Sequence, residues 1–548
     1  MKQNVIHKIR NGLTMLLTFF VLHSSFFIFT ACSDEWDDHY DPALAASDKT
    51  LLQLVESDAQ LSDFLKVLRA THVYNYAKRT NVSYADLLNA DQSLTVWAPK
   101  NGTFNVDSLL SECQTAKGDS MVSRHFVMNH VSHNLYNMGT GATGQNVLLL
   151  NDKQTPITSQ GIKNATIVPG FYNIPAKNGL LHVIDDDVRY SYSVYEGLTT
   201  ISNYLHLGNF LKGFEKQELD EERSVQSGLV DGQKVYSDSV MILSNILYRN
   251  FGLINAEDSN YIALVPTKEI WEPVYQEALQ YFNFGSVEKA DSIQNYWVNR
   301  MLMQDLFYNR NMQHLNDSAF STSYSKWANP EYHVFYKPLS EGGLFSSTFV
   351  KDTLESSNGV FYNLKKWPFQ KEQIYFWPVK VEGEQEFRIL DNTDCSLEYR
   401  AVSNADSISG QAYMRINPRT SSSNWTVTYE VPNTLSGTYD ICAVCLPKTV
   451  YNTASRDFKP TKFKATLFYT DQQGDMKELA FDEAVSNDPY VVDTVKIGTF
   501  SFPVCNYQQT NVTVRLRLEC SITRRETSFS RDTYLDCIYL KPTNKEEE

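Results

Sequence analysis

Three histidines lie close together in the chain, at His125, His130 and His133. A helix-borne metal site needs donors four residues apart with a carboxylate nearby. Here the steps are five and three, and no Asp or Glu intervenes. A structural role, with His130 bonded to backbone or to a neighbouring strand, therefore fits better than ligation. Cys442 and Cys445 have the spacing of half a zinc site, but they fall in Tyr439–Leu446, which has the composition of a strand. A three-residue step along a strand puts the two thiols on opposite faces, so buried small side chains are expected. Spacing leaves open whether Cys395, Cys442, Cys445, Cys505, Cys520 and Cys537 form disulfides. Asp185, Asp186 and Asp187 offer oxygen ligands, yet consecutive side chains of a strand diverge. The chain has no G-x-S-x-G elbow, H-E-x-x-H or phosphate loop. A non-enzyme without a cofactor is expected, although two carboxylates distant in sequence can still meet as a glycosidase pair.

The element most able to organise these groups is Asn178–Asp185, an Asn-Gly turn followed by an apolar strand that carries His182. Asn358–Leu364 repeats the turn and most of the apolar frame, with Tyr362 in place of His182. Upstream of each copy, Thr95–Phe104 and Ile262–Trp271 both run as an apolar strand closed by proline and polar residues. Proline ends the strand by removing a donor, and the polar residues suit a helix start. An internal repeat follows, and a repeat decides the fold.

These paired segments resemble the two sequence boxes of the fasciclin family. The resemblance covers 48–190 closely and 193–370 as a divergent second copy. It implies two tandem α/β modules. His130-Val131 resembles the family's Tyr-His position, with Asn129 in place of the tyrosine. Related modules tie that region to adhesion, which makes His130 a binding candidate. Helices are expected at 51–68, at Met121–His133, at Tyr195–Phe214 and at Val287–Met312. Residues 216–240 and 313–345 read as insertions, where binding is readily grafted.

At the N-terminus, basic Lys2, Lys8 and Arg10 precede an apolar stretch over Leu13–Ala31. Phe29-Thr30-Ala31-Cys32 resembles a lipoprotein processing site, which makes 1–31 a signal peptide and Cys32 the lipid-attachment residue. That order implies a membrane-anchored chain. The acidic run Ser33–Asp38, within a tether over 32–47, resembles the signal that sends Bacteroidetes lipoproteins to the exterior of the outer membrane. Triplets such as Asp107-Ser108-Leu109 and Asp352-Thr353-Leu354 resemble O-glycosylation acceptors of exported Bacteroides proteins. Net charge is −15, and no basic stripe interleaves with aromatics, so a nucleic-acid partner is not expected. Aromatics make up 13% of the chain, which suits surfaces that contact sugar or protein.

From 371 to 548 the pattern is almost purely β. Trp425, Val427, Tyr429 and Val431 alternate with polar residues, and Lys462–Tyr469 and Met476–Phe481 flank a turn. At least six strands predict a sandwich of jelly-roll type. Tyr534–Pro542 and Ser436–Asp440 resemble the last strand and a strand opening of galactose-binding-like sandwiches. That likeness implies binding rims at the Thr449–Lys462 loop, with Tyr451 and Arg456, and at the Arg524-Arg525 turn. The expected fold class is α+β, two fasciclin-like modules followed by an all-β sandwich. The expected role is noncatalytic binding of glycan or a protein partner at the outer membrane, beside glycan-uptake proteins. The alternatives are an adhesion protein and, third, a glycan-processing enzyme.

Overall fold

The computed structural model describes residues 47–75, 78–139, 142, 144–222, 224–230, 232–310, 318–320, 334–403 and 407–543. Cys32, the leader and nearly all of the tether lie outside them. The chain divides into two compact units, with the boundary between Tyr190 and Ser191.

In the first unit, strand Leu94–Pro99 lies parallel to Gly179–Ile184, with Leu94 opposite Gly179 and Pro99 opposite Ile184. Val131–Ser132 and Ile174–Ala176 complete a four-stranded sheet. Both faces of this pair are covered, which is why the strands read as nearly continuous apolar runs. Val96, Ala98, Leu181 and Val183 pack with Leu51, Val55, Phe64 and Leu68 of the opening helices. Trp97 and Ile184 face a second core with Val147, Ile157 and Ile162. The helix Leu51–Ser57 starts where sequence places it, because Thr50 and Gln53 form a reciprocal cap.

Asn178 closes the strand pair. Its Oδ1 accepts from Leu51 N at 2.8 Å, and its Nδ2 donates to Leu88 O at 2.9 Å and Ala90 O at 2.6 Å. Gly179 follows at φ +148°, where an added Cβ would stand 1.9 Å from Leu94 O, so only glycine fits.

The second unit repeats this device. Tyr261–Val265 runs parallel to Gly359–Leu364, between Phe307–Asn309 and Val350–Ser356. Asn358 Oδ1 accepts from Val194 N at 2.7 Å, and its Nδ2 donates to Ile254 O at 3.0 Å and Ala256 O at 2.8 Å.

Several expected helices are shorter or displaced. The helix expected at Met121–His133 spans Ala116–His125 instead, because Thr115 caps it early through Gly118 N. It gives way to a 3₁₀ turn, Val127–His130, because Val131 pairs with Val96 at the sheet edge. Tyr195–Phe214 divides into Val194–Thr200 and Leu205–Lys212. Within Val287–Met312 the described residues, which end at Arg310, hold a helix over Ala290–Met303, since Phe307 is needed opposite Ala263. The insertion over 216–240 falls within a β-ribbon. There Glu215–Leu219 pairs with Met241–Asn245, and Val225–Val230 pairs with Gln233–Asp238.

The β-region forms a sandwich of a six-stranded and a five-stranded sheet. Met414, Ile416, Tyr439, Ile441 and Leu535 from one sheet meet Val427, Tyr429, Phe463, Leu516 and Leu518 from the other. This core is continuous with that of the module before it. Tyr507 stands edge-on to Phe282 and Trp297, with centroids at 5.7 and 5.0 Å. Cys505 N donates to Asn283 O at 2.6 Å, and Ser436 N to Tyr281 O at 2.9 Å. Every described cysteine is free. Cys445 points into the core with Ile441 and Ala443, while Cys442 belongs to the other face of the strand. Among the described residues, no helix is long and apolar enough to cross a membrane.

Candidate functional site

One end of the sandwich gathers three loops. Strand Gly437–Cys445 leads into 446–461, Met476–Ser486 into 487–492, and Arg515–Cys520 into 521–532. Hydrogen bonds tie them together. Thr461 N donates to Asn487 Oδ1 at 2.8 Å, Ser530 N to Pro460 O at 2.9 Å, and Leu446 N to Tyr534 O at 2.8 Å. Between the loops lies a recess whose wall includes Lys448, Asp457, Lys459, Asn487, Asp532 and Tyr534.

Tyr451 sits at this end with 46% of its surface exposed. The Arg415 guanidinium stands 4.7 Å and that of Arg400 5.1 Å from its ring centroid, and the Tyr534 ring is 6.1 Å away. Register explains the gathering. Arg400 lies opposite Tyr413, and Arg415 lies opposite both Glu398 and Tyr534, so one sheet face carries them all. Asp532 grips Arg415 with two bonds, at 2.9 and 3.1 Å. Glu398 contacts Arg415 at 3.3 Å and also pairs with Arg400. Hydrogen bonding to Asp532 holds the Arg415 pKa above the ordinary guanidinium value, and burial raises that of Tyr534. Each cation–aromatic contact contributes about 0.5–1 kcal/mol at such an exposed site. The tyrosine is thereby held in place while its open surface stays available.

The other loop candidates stand apart from this cluster. Arg456 is exposed and donates to the carbonyls of Ala454 and Ser455 within its own loop. Arg524 and Arg525 are exposed in 521–532. Beside them Glu526 binds Lys462 at 2.6 Å, which draws the carboxyl down to about 2. Sequence reading missed Arg400, Arg415, Glu398 and Asp532. The one signal was the alternation Glu398-x-Arg400, which fixes a shared face but no partner.

In the first unit His130 is fully buried. Its Nδ1 donates to Phe126 O at 2.7 Å, and its Nε2 accepts from Val188 N at 2.9 Å. Burial pushes its pKa down to about 4, so the ring is neutral and holds the fold. It offers no surface to a partner, against its place among the binding candidates. His182 is likewise held near 4 by burial. It accepts from Asn173 N at 3.1 Å and donates to Tyr136 O at 3.0 Å. Asp185 accepts from Thr166 N and Asp186 from Asp187 N, so two of the three carboxylates are taken up locally.

A Fasciclin domain model matches residues 59–187. No curated protein matches the chain in sequence. Among solved structures, the chain is similar to the CBM22-1 xylan-binding domain of Paenibacillus barcinonensis Xyn10C, at 15% identity over 31% of this chain and 96% of that one, with a TM-score of 0.20. It is similar to a FAS1 domain pair from the insect cell adhesion molecule Fasciclin I, at 12% identity over 53% and 93%, with a TM-score of 0.18. It is also similar to a family 35 carbohydrate binding module from Clostridium thermocellum, at 11% identity over 30% and 99%, with a TM-score of 0.18. At these scores the likenesses bear on neither ligand nor activity.

Proposed function

We propose that this protein is a noncatalytic surface lipoprotein that captures glycan at the loop end of its sandwich, beside a glycan-uptake system. Lipid at Cys32 anchors it to the outer membrane facing outward, and 32–47 serves as the tether. Residues 193–370 act as a divergent second fasciclin repeat, a reading supported by the matching Asn178 and Asn358 networks.

The observation that carries the glycan reading is Tyr451, a half-exposed ring fixed by two arginines beside a polar-walled recess. A fixed aromatic ring with polar neighbours suits the apolar face and hydroxyl rim of a sugar. The carboxylates there are poorly suited to acid–base chemistry. Asp532 is clamped by Arg415, and the hydrogen bond from Lys448 lowers the Asp457 pKa, whereas a general acid needs its pKa raised.

The test is a glycan array probed with the soluble chain from Asp34 onward and with its Tyr451→Ala variant. Binding by the parent chain that the variant loses supports the proposal, and a silent array sinks it. The Fasciclin match at 59–187 favours one second reading, adhesion to host or envelope proteins through the first unit. Attachment of cells or matrix that survives Tyr451→Ala would support that reading instead.

A further inference from the structure

Tyr490 is 66% exposed and lies in the loop 487–492. Its ring is stacked on Phe458 at 4.8 Å with only 19° between the planes. Its backbone N bonds Asp488 Oδ1 at 2.9 Å, which fixes the loop beneath the ring. Phe458 supports one side of Tyr490, and the exposed side is a second flat aromatic surface.

Neighbours of both aromatics line one recess. Asp457 and Lys459, which flank Phe458, and Pro489, which precedes Tyr490, belong to its wall. So does Tyr534, the neighbour of Tyr451. The charges around it are largely matched. Lys448 pairs with Asp457 at 2.7 Å, Arg415 with Asp532, and Arg400 with Glu398.

We infer that the loop end holds a chain of sugars across two aromatic platforms, Tyr451 and Tyr490, and that this chain is a neutral oligosaccharide. The inference rests on the glycan reading above and specifies its ligand. Two separate platforms need a ligand longer than one sugar ring. The two arginines that hold Tyr451 are already bound to carboxylates and give an acidic sugar no free bidentate partner at that platform.

The experiment uses the soluble chain from Asp34 onward. Ladders of neutral gluco-, manno- and xylo-oligosaccharides, from monosaccharide to hexasaccharide, are titrated beside a ladder of oligogalacturonates. Affinity for one neutral ladder should rise with length. Tyr490→Ala should weaken binding of the longer members about tenfold, as Tyr451→Ala does, while Tyr490→Phe keeps it. Tyr490 is exposed, so its variants should melt as the parent does, and a matched melting curve makes the comparison valid.

Neutral oligosaccharide binding that Tyr490→Ala leaves unchanged, or that is as tight for the monosaccharide, overturns the inference but not the glycan reading. Preference for the galacturonate ladder overturns the neutral assignment. Silence towards every ladder, together with a silent glycan array, removes the glycan reading itself.

Discussion

In the first unit three hydrogen bonds from Asn178 tie the central strand to Leu51, Leu88 and Ala90, and in the second Asn358 makes the same three to Val194, Ile254 and Ala256. Around that shared clamp the surroundings differ. On the first strand His182 bridges two loops and stacks on Trp97 at 5.7 Å. At the matching position Tyr362 is half-buried against Phe345 and forms no such bridge among the described residues. The first unit covers its second sheet face with its own small β-sheet core, whereas the second module shares its core with the sandwich. What is retained is the backbone satisfaction that the parallel strand pair cannot do without. What varies is the cover, which any apolar surface of suitable shape can provide.

The strongest test of this comparison is to remove each clamp. Asn178→Ala and Asn358→Ala each leave a buried N–H and two carbonyls without partners, and each should destabilise its own unit by about 3 kcal/mol. Hydrogen exchange read by peptide should show Asn178→Ala loosening 47–190 alone and Asn358→Ala loosening the second unit. Equal loosening of both units by either variant would mean that the clamps are not local devices.

Acid should separate the units next. His130 and His182 are held neutral near 4 by burial, below the ordinary 6.5. Their contribution is complete above pH 6.5 and is lost as pH falls through 4, on the order of 3 kcal/mol each by linkage. Asp536 in the second unit goes the other way. Burial raises it to about 6, Ser409 N hydrogen-bonds it downward, and Glu382 and Glu384 add repulsion. Its contribution is complete below pH 3.8 and is lost as pH rises through 6. Asp536→Asn keeps an acceptor for Ser409 and should stabilise the second unit by about 2 kcal/mol at pH 7 in metal-free buffer. Denaturation from pH 7 to 4 should weaken the first unit progressively, while Asp536→Asn should flatten the second unit's dependence between pH 4 and 6. A first unit indifferent to acid would remove the proposed role of its two histidines.

These contrasts also mark what the sequence disclosed. The Asn-Gly turn, the apolar strands, the echo at Asn358 and the division of Cys442 from Cys445 all follow from local pattern, because period and turn chemistry are written residue by residue. The early end of the helix at His125 does not, since it depends on Val131 finding Val96 across the sheet. The core shared across residue 370 is equally hidden, because Tyr507 and Trp297 are far apart in the chain. At the loop end Tyr451 was legible as an aromatic in a long loop. Arg400 and Arg415 became relevant only once antiparallel register and a folded loop brought them to its ring.

The smallest expected effect is the most direct test of the echo. Tyr362→His restores the first strand's residue to the second. If the strand position itself made a histidine useful, the variant would gain stability. The bridge in the first unit depends instead on Tyr136 and Asn173, which belong to loops outside the repeated strands. Among the described residues, Tyr362 makes a ring contact to Phe345 at 5.6 Å and packs half-buried at the edge of the core. The variant should therefore lose about 0.5–1 kcal/mol of aromatic packing and acquire no new acid sensitivity. A gain in stability, or a new transition near pH 4 in the second unit, would show that the cover is encoded in the strand after all.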